Sequence, residues 1–97
     1  MQYMQFTSPM TTSRGDVVAY SVYKNVGWML ELSGTTVRLL VEGMDDFRDM
    51  TMVTFHQHSE ALACFNESRQ MYPSEIIERY PSATVHSSGC VERNRSW

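Results

Sequence analysis

The stretch Asp16–Glu42, DVVAYSVYKNVGWMLELSGTTVRLLVE, decides the fold. It consists of three runs of β-branched, aromatic and long apolar residues broken by two short turn signals, a composition that favours pleated, half-buried strands. Strands are expected at Val17–Tyr23, Trp28–Leu32 and Thr35–Glu42. Between the first two, Lys24-Asn25-Val26-Gly27 supplies Asn and Gly where positive φ costs little. Between the second and third, Ser33-Gly34 suits a tight hairpin. Strands joined this closely must run antiparallel, so the sequence predicts a meander.

Side chains alternate across a strand, and this assigns faces. Val18, Tyr20 and Val22 are expected on one face with Trp28, Leu30 and Leu32 and with Val37, Leu39 and Val41. The opposite face then carries Ser21, Tyr23, Met29, Glu31, Arg38 and Leu40.

Beyond this core, Gly43–Asp49 reads as an acidic loop or single helical turn around Phe47, and Met50–Phe55 as a fourth strand. Ser59 is a suitable N-cap, with Glu60 favourable to the helix dipole and Ala61, Leu62, Phe65, Arg69 and Tyr72 at helical spacing. A helix is expected over Glu60–Met71, stopped by Pro73. Ser74 begins a shorter helical turn through Glu78 that Pro81 ends, and Ala83–His86 offers a fifth, edge strand. The predicted fold class is α+β: a small antiparallel sheet of about four to five strands in a meander, then one main C-terminal helix plus a short helical turn. One domain spans 1–97, with residues 1–15 read as an N-terminal extension and 87–97 as a polar C-terminal tail. Met1, Met4 and Met10 are three candidate starts.

Ninety-seven residues are too few for a two-domain enzyme. Eight basic residues stand against eleven acidic ones, and they are scattered from Arg14 to Arg95. That leaves no positive stripe for nucleic-acid phosphates, and the acidic excess is too thin for a DNA mimic. No apolar run is long enough to span a membrane and no secretory leader is evident, so a cytoplasmic protein is expected. Cys64 and Cys90 lack metal-ligand or redox-motif spacing and are read as free thiols.

Few residues point to catalysis. His56 and His58 are two apart, a spacing that on a strand aims both imidazoles at one side, as a metal chelate requires. A third ligand would have to come from Glu60, His86 or the aspartates 45, 46 and 49, and the pair is more simply read as a strand end, so no metal and no cofactor are assigned. Asp45, Asp46 and Asp49 lack the ligand order of a calcium loop. No nucleophile elbow or glycine-rich phosphate loop occurs, and Cys64 reads as a small core residue. An enzyme is therefore the lesser expectation.

Soft apolar bulk exceeds what this core needs. Eight methionines and eleven aromatics accompany a chain in which one helix can cover only one sheet face. The second face needs a partner or a ligand. The leading expectation is a non-catalytic interaction module acting as a homodimer, with Tyr23, Met29, Leu40 and Trp97 as interface candidates. The alternative is a small-molecule binder or small enzyme with an aromatic and Met-lined pocket near His56 and His58, using Tyr23, Met29 and Glu31 as well. The short frame without catalytic motifs also resembles small genes of mobile genetic elements, whose products commonly act on host proteins; a host protein is thus a second candidate partner.

Overall fold

Lys24 and Asn25 take positive φ values of 54° and 65° and close a two-residue turn between Tyr23 and Val26. From this hairpin the computed structural model, which describes residues 5–81 and the backbone of Val85–His86, extends into a six-stranded sheet. Strands β1 (Met10–Thr11), β2 (Val17–Tyr23), β3 (Val26–Ser33), β4 (Thr36–Glu42) and β5 (Phe47–Phe55) lie side by side in chain order, each antiparallel to the last. β6 (Val85–His86) pairs in parallel with Thr54–Phe55. Helices α1 (His58–Ser68) and α2 (Pro73–Arg79) follow the meander. The α+β expectation holds, and neither helix is long and apolar enough to cross a membrane.

The face assignment of β2 is overturned, and the reason is parity. Grouping Val18, Tyr20 and Val22 with Trp28, Leu30 and Leu32 requires a turn of odd length. The two-residue turn instead pairs odd with even positions, Ser21 with Trp28 and Tyr20 with Met29. Because side chains alternate with period two, this moves every β2 residue to the other side. Ser21 and Tyr23 therefore face with Trp28 and Leu30, while Val18, Tyr20 and Val22 face with Met29 and Glu31.

The core forms on the side that the helices cover. Ala19, Leu30, Leu32, Val37, Leu39, Val53 and Phe55 from the sheet meet Ala61, Cys64 and Phe65 from α1, and Ile76 and Tyr80 from α2 and its end. Val17, Trp28, Met71 and Ile77 pack around this cluster half-buried. The N-terminal segment belongs to it as well. The amides of Gln5 and Phe6 both donate to the Arg69 carbonyl at 3.0 and 3.1 Å, the Thr7 amide donates to Tyr20 O at 2.8 Å, and Phe6 is buried in the core.

Several boundaries differ from expectation for local reasons. The second hairpin turns at Gly34-Thr35, with Gly34 at φ +61°, since Ser33 still pairs with Thr36. β5 begins at Phe47 rather than Met50, so the acidic loop is shorter. α1 starts at His58 with Gln57 as N-cap, not Ser59: the Gln57 amide donates to Glu60 Oε1 at 3.2 Å, which returns a helix-start contact from the N3 position. Tyr72 caps α2 in the same way through Glu75 Oε1 at 2.8 Å, with Pro73 at the first helical position where its missing N–H is harmless. An ion pair of 2.7 Å between Arg79 and Glu67 ties α2 to α1.

Phe65 has no exposed surface, whereas Leu62 on the same helix is 40% exposed. Phe65→Ala should lower unfolding free energy by about 3–5 kcal/mol. Leu62→Ala should cost less than about 1 kcal/mol. Urea denaturation followed by circular dichroism measures both.

Candidate functional site

The sheet face turned away from the helices is organised in rows set by strand register. One row runs Met10, Val18, Glu31, Arg38, Met52; the next runs Tyr20, Met29, Leu40, Asp49. Val22, Gly27, Glu42 and Phe47 form a third. Toward the other end Ser33, Thr36 and Thr54 make a polar border, held by Ser33 donating to Asp16 at 2.9 Å and by a Thr36–Thr54 hydroxyl contact of 3.0 Å. Within that frame lie large apolar side chains in contact with water: Val22 is 80% exposed, Met10 53%, Met52 47% and Tyr20 37%. Met50, also exposed, sits at the bulge created where Leu39 pairs with Thr51 but Leu40 pairs with Asp49. These exposed positions are spread over β1, β2 and β5; between them Val18 and Leu40 are buried, as is Glu31, so the middle of this face is covered within the single chain.

A charged centre sits among them. Arg38 Nε donates to Glu31 Oε1 at 2.7 Å and its Nη2 lies 2.5 Å from the same oxygen, while Nη1 reaches Asp49 Oδ1 at 3.2 Å. Exposure rises across the three side chains, from 7% for Glu31 to 32% for Arg38 and 57% for Asp49. The hydrogen bond to the Glu31 carboxylate raises the Arg38 pKa above the ordinary arginine value, with burial acting in the opposite direction. The guanidinium is thus a permanent cation whose inner side is satisfied and whose outer side is loosely held.

Met29, Glu31 and Leu40 are together on this face, as the alternation of β3 and β4 indicated. Tyr23 is not. It stands on the helix side, its ring 5.2 Å from that of Tyr72 and tilted by 35°, its hydroxyl 3.2 Å from Ser74 Oγ. Tyr23 therefore cannot share an interface patch with Met29 and Leu40, a consequence of the turn parity. Trp97 and Cys90 lie outside the described residues. Arg38 stands on this face as the alternation of β4 indicated, and Met10, Tyr20, Val22, Asp49 and Met52 join it; the even-length turn at Lys24-Asn25 is the signal that places the β2 members here.

His56 and His58 do not share a strand face. β5 ends at Phe55, His56 lies in the bend beyond it, and His58 is the first residue of α1. Both are exposed, and His58 Nδ1 lies 2.7 Å from the Gly34 carbonyl. Among the described residues no three His, Cys, Asp or Glu side chains come close enough together to hold a metal ion. No protein-family model, curated protein or solved structure matches this chain.

The interior holds a second polar group. Burial pushes the Cys64 thiol up, and Tyr80, raised by burial and by the neighbouring Cys64, is pushed the same way. Ser68 Oγ lies 3.9 Å from the sulfur. A buried thiol that resists ionisation is a poor nucleophile, so this pair reads as core. The Trp28 indole N–H is also buried, with no hydrogen-bond partner among the described residues.

Two outcomes follow from this geometry. Arg38→Ala leaves Glu31 buried and unpaired and should destabilise by about 1–3 kcal/mol; replacing Glu31 and Arg38 together by Met should recover most of that loss in urea midpoints. Cys64 and Tyr80 both bind protons more tightly folded than unfolded, so their contribution is complete below the unfolded thiol pKa of about 8.5 and declines as pH rises. Urea midpoints should therefore fall between about pH 8.5 and 10, less steeply in Cys64→Ala.

Proposed function

We propose that this chain is a non-catalytic interaction module that pairs with a second copy of itself through the helix-free sheet face. The observation that carries the reading is the exposure of Met10, Tyr20, Val22 and Met52 on one side of a sheet whose other side is already closed by α1, α2 and Phe6. Water around such side chains is released when they are covered, and about 25 cal/mol per Å² of apolar area favours that burial. A two-fold pair needs only this one surface, because an isologous contact uses the same residues from both sides.

Methionine suits the role. Met10, Met29 and Met52 present unbranched, polarisable side chains that adjust to an opposing surface with little strain. The small-ligand reading near His56 and His58 has less to draw on: both imidazoles are exposed, and that of His58 is engaged with the Gly34 carbonyl. The cytoplasm is our assignment for the protein, from its two cysteines without disulfide or metal spacing. A host protein on the same face is the alternative outcome of the association test.

Size-exclusion chromatography with light scattering should give a mass near twice the 11.2 kDa of the chain. Met52→Glu should convert this species to a monomer while leaving the urea midpoint nearly unchanged, since residue 52 is exposed in the single chain and an unpaired charge is costly only once the face is covered. A wild-type monomer at a concentration of about 100 μM, roughly 5.5 kcal/mol of association free energy, would remove the homodimer reading.

A further inference from the structure

We infer that the seam between β2 and the C-terminal end of α1 is a docking site for an extended peptide in which an aromatic residue precedes a serine or threonine, with residues 5–7 of the chain itself as its resident, exchangeable occupant. The seam exists because of what the main helix leaves uncovered. α1 packs chiefly over β3, β4 and β5. On the far flank of the sheet, β2 turns Val17 and the small Ala19 inward, and Ala19 is nevertheless fully buried. Phe6 joins the core on this flank, since the chain around it is bonded to Tyr20 of β2 and to Arg69 at the end of α1.

Recognition in the seam runs largely through the main chain. The Arg69 carbonyl, beyond the last intrahelical bonds of α1, accepts the amides of Gln5 and Phe6 at 3.0 and 3.1 Å. The Tyr20 carbonyl accepts the Thr7 amide at 2.8 Å, the Tyr20 amide donates to Thr7 Oγ1 at 3.0 Å, and Arg69 Nε donates to the Thr7 carbonyl at 3.2 Å. Main-chain bonds of this kind accept any extended segment, as when a peptide adds to the edge of a sheet. Selectivity comes from the ring that enters the core at position 6 and the hydroxyl that meets β2 at position 7. From Thr7 to Thr11 the segment is exposed, so Phe6 is the one buried anchor of residues 5–11. The conformational entropy recovered on detachment offsets much of what a single anchor contributes, and segments so held open before the body of the fold does. The turn that follows is closed by its own bonds: the Thr12 amide donates to the Asp16 carbonyl at 2.7 Å, and the Asp16 amide to Thr12 Oγ1 at 3.1 Å. It keeps the resident near the seam at an effective concentration of about millimolar, with which a peptide in trans must compete.

The probe is a peptide with the sequence of residues 5–11, acetylated at its N-terminus so that the first amide is kept and labelled with fluorescein at its C-terminal end. In fluorescence anisotropy the full-length Phe6→Ala chain, whose resident has lost its anchor, should bind this peptide at least about tenfold more tightly than wild type does. The same peptide carrying Phe6→Ala should bind neither protein. Equal affinity of the two chains, or no binding to the folded Phe6→Ala chain, overturns the docking site. Hydrogen exchange of the wild type decides independently of how that variant folds: the Phe6 and Thr7 amides should exchange at least about a hundredfold faster than the Leu30 amide of β3. Equal protection would make residues 5–7 an integral part of the core and overturn the exchangeable occupant. Neither measurement depends on the pairing of copies, so a monomeric wild type leaves this inference standing.

Discussion

Two residues in left-handed conformation, Lys24 and Asn25, determine which side of β2 faces the helices. A turn of two residues pairs Tyr23 with Val26, and from there every odd position of β2 lies opposite an even position of β3. Ala19 consequently enters the core beside Leu30, and Tyr20 is left with Met29 on the open side. One more residue in that turn would reverse the arrangement, sending Val18 and Val22 toward the helices and Ala19 outward. The closed core and the open apolar face are therefore two results of one local geometry.

The remaining layers follow from that parity. Phe65 and Ile76 are drawn against Leu30, Leu32 and Leu39 because that side of the sheet is continuously apolar and buried area is the dominant favourable term. The N-terminal segment extends the same layer: Phe6 fills the core while its backbone, with that of Gln5 and Thr7, satisfies Arg69 and Tyr20 carbonyls. On the opposite side nothing comparable arrives from α1 or α2. The side chains there are Met, Tyr and Val around a buried carboxylate that only its arginine makes tolerable. Along β5 the bulge at Met50 interrupts the regular pairing with β4.

The Glu31–Arg38 pair is a fixed charge on the outer face. Apolar side chains alone would permit sliding, since burial depends on area and hardly on direction. On the pairing proposed above, a fixed guanidinium set among methionines would restrict the alignments open to a partner.

Amino-acid order by itself determined the element types and their sequence: β-branched and aromatic runs became strands, two helices followed, with α1 ending at Ser68 short of the expected Met71 and Pro73 opening α2 rather than stopping α1, and alternation in β3 and β4 correctly grouped Leu30 and Leu32 with Val37 and Leu39, and Met29 and Glu31 with Arg38 and Leu40. These features are local, decided by propensity and by spacing within a few residues. Tertiary structure alone decided the side of β2, the loss of Tyr23 from the outer face, the recruitment of Phe6 and Met10, and the separation of His56 from His58. Each of those depends on a pairing partner distant in the chain or on the length of a turn to a single residue, and a period-two pattern carries no record of which of its two faces will meet the rest of the molecule.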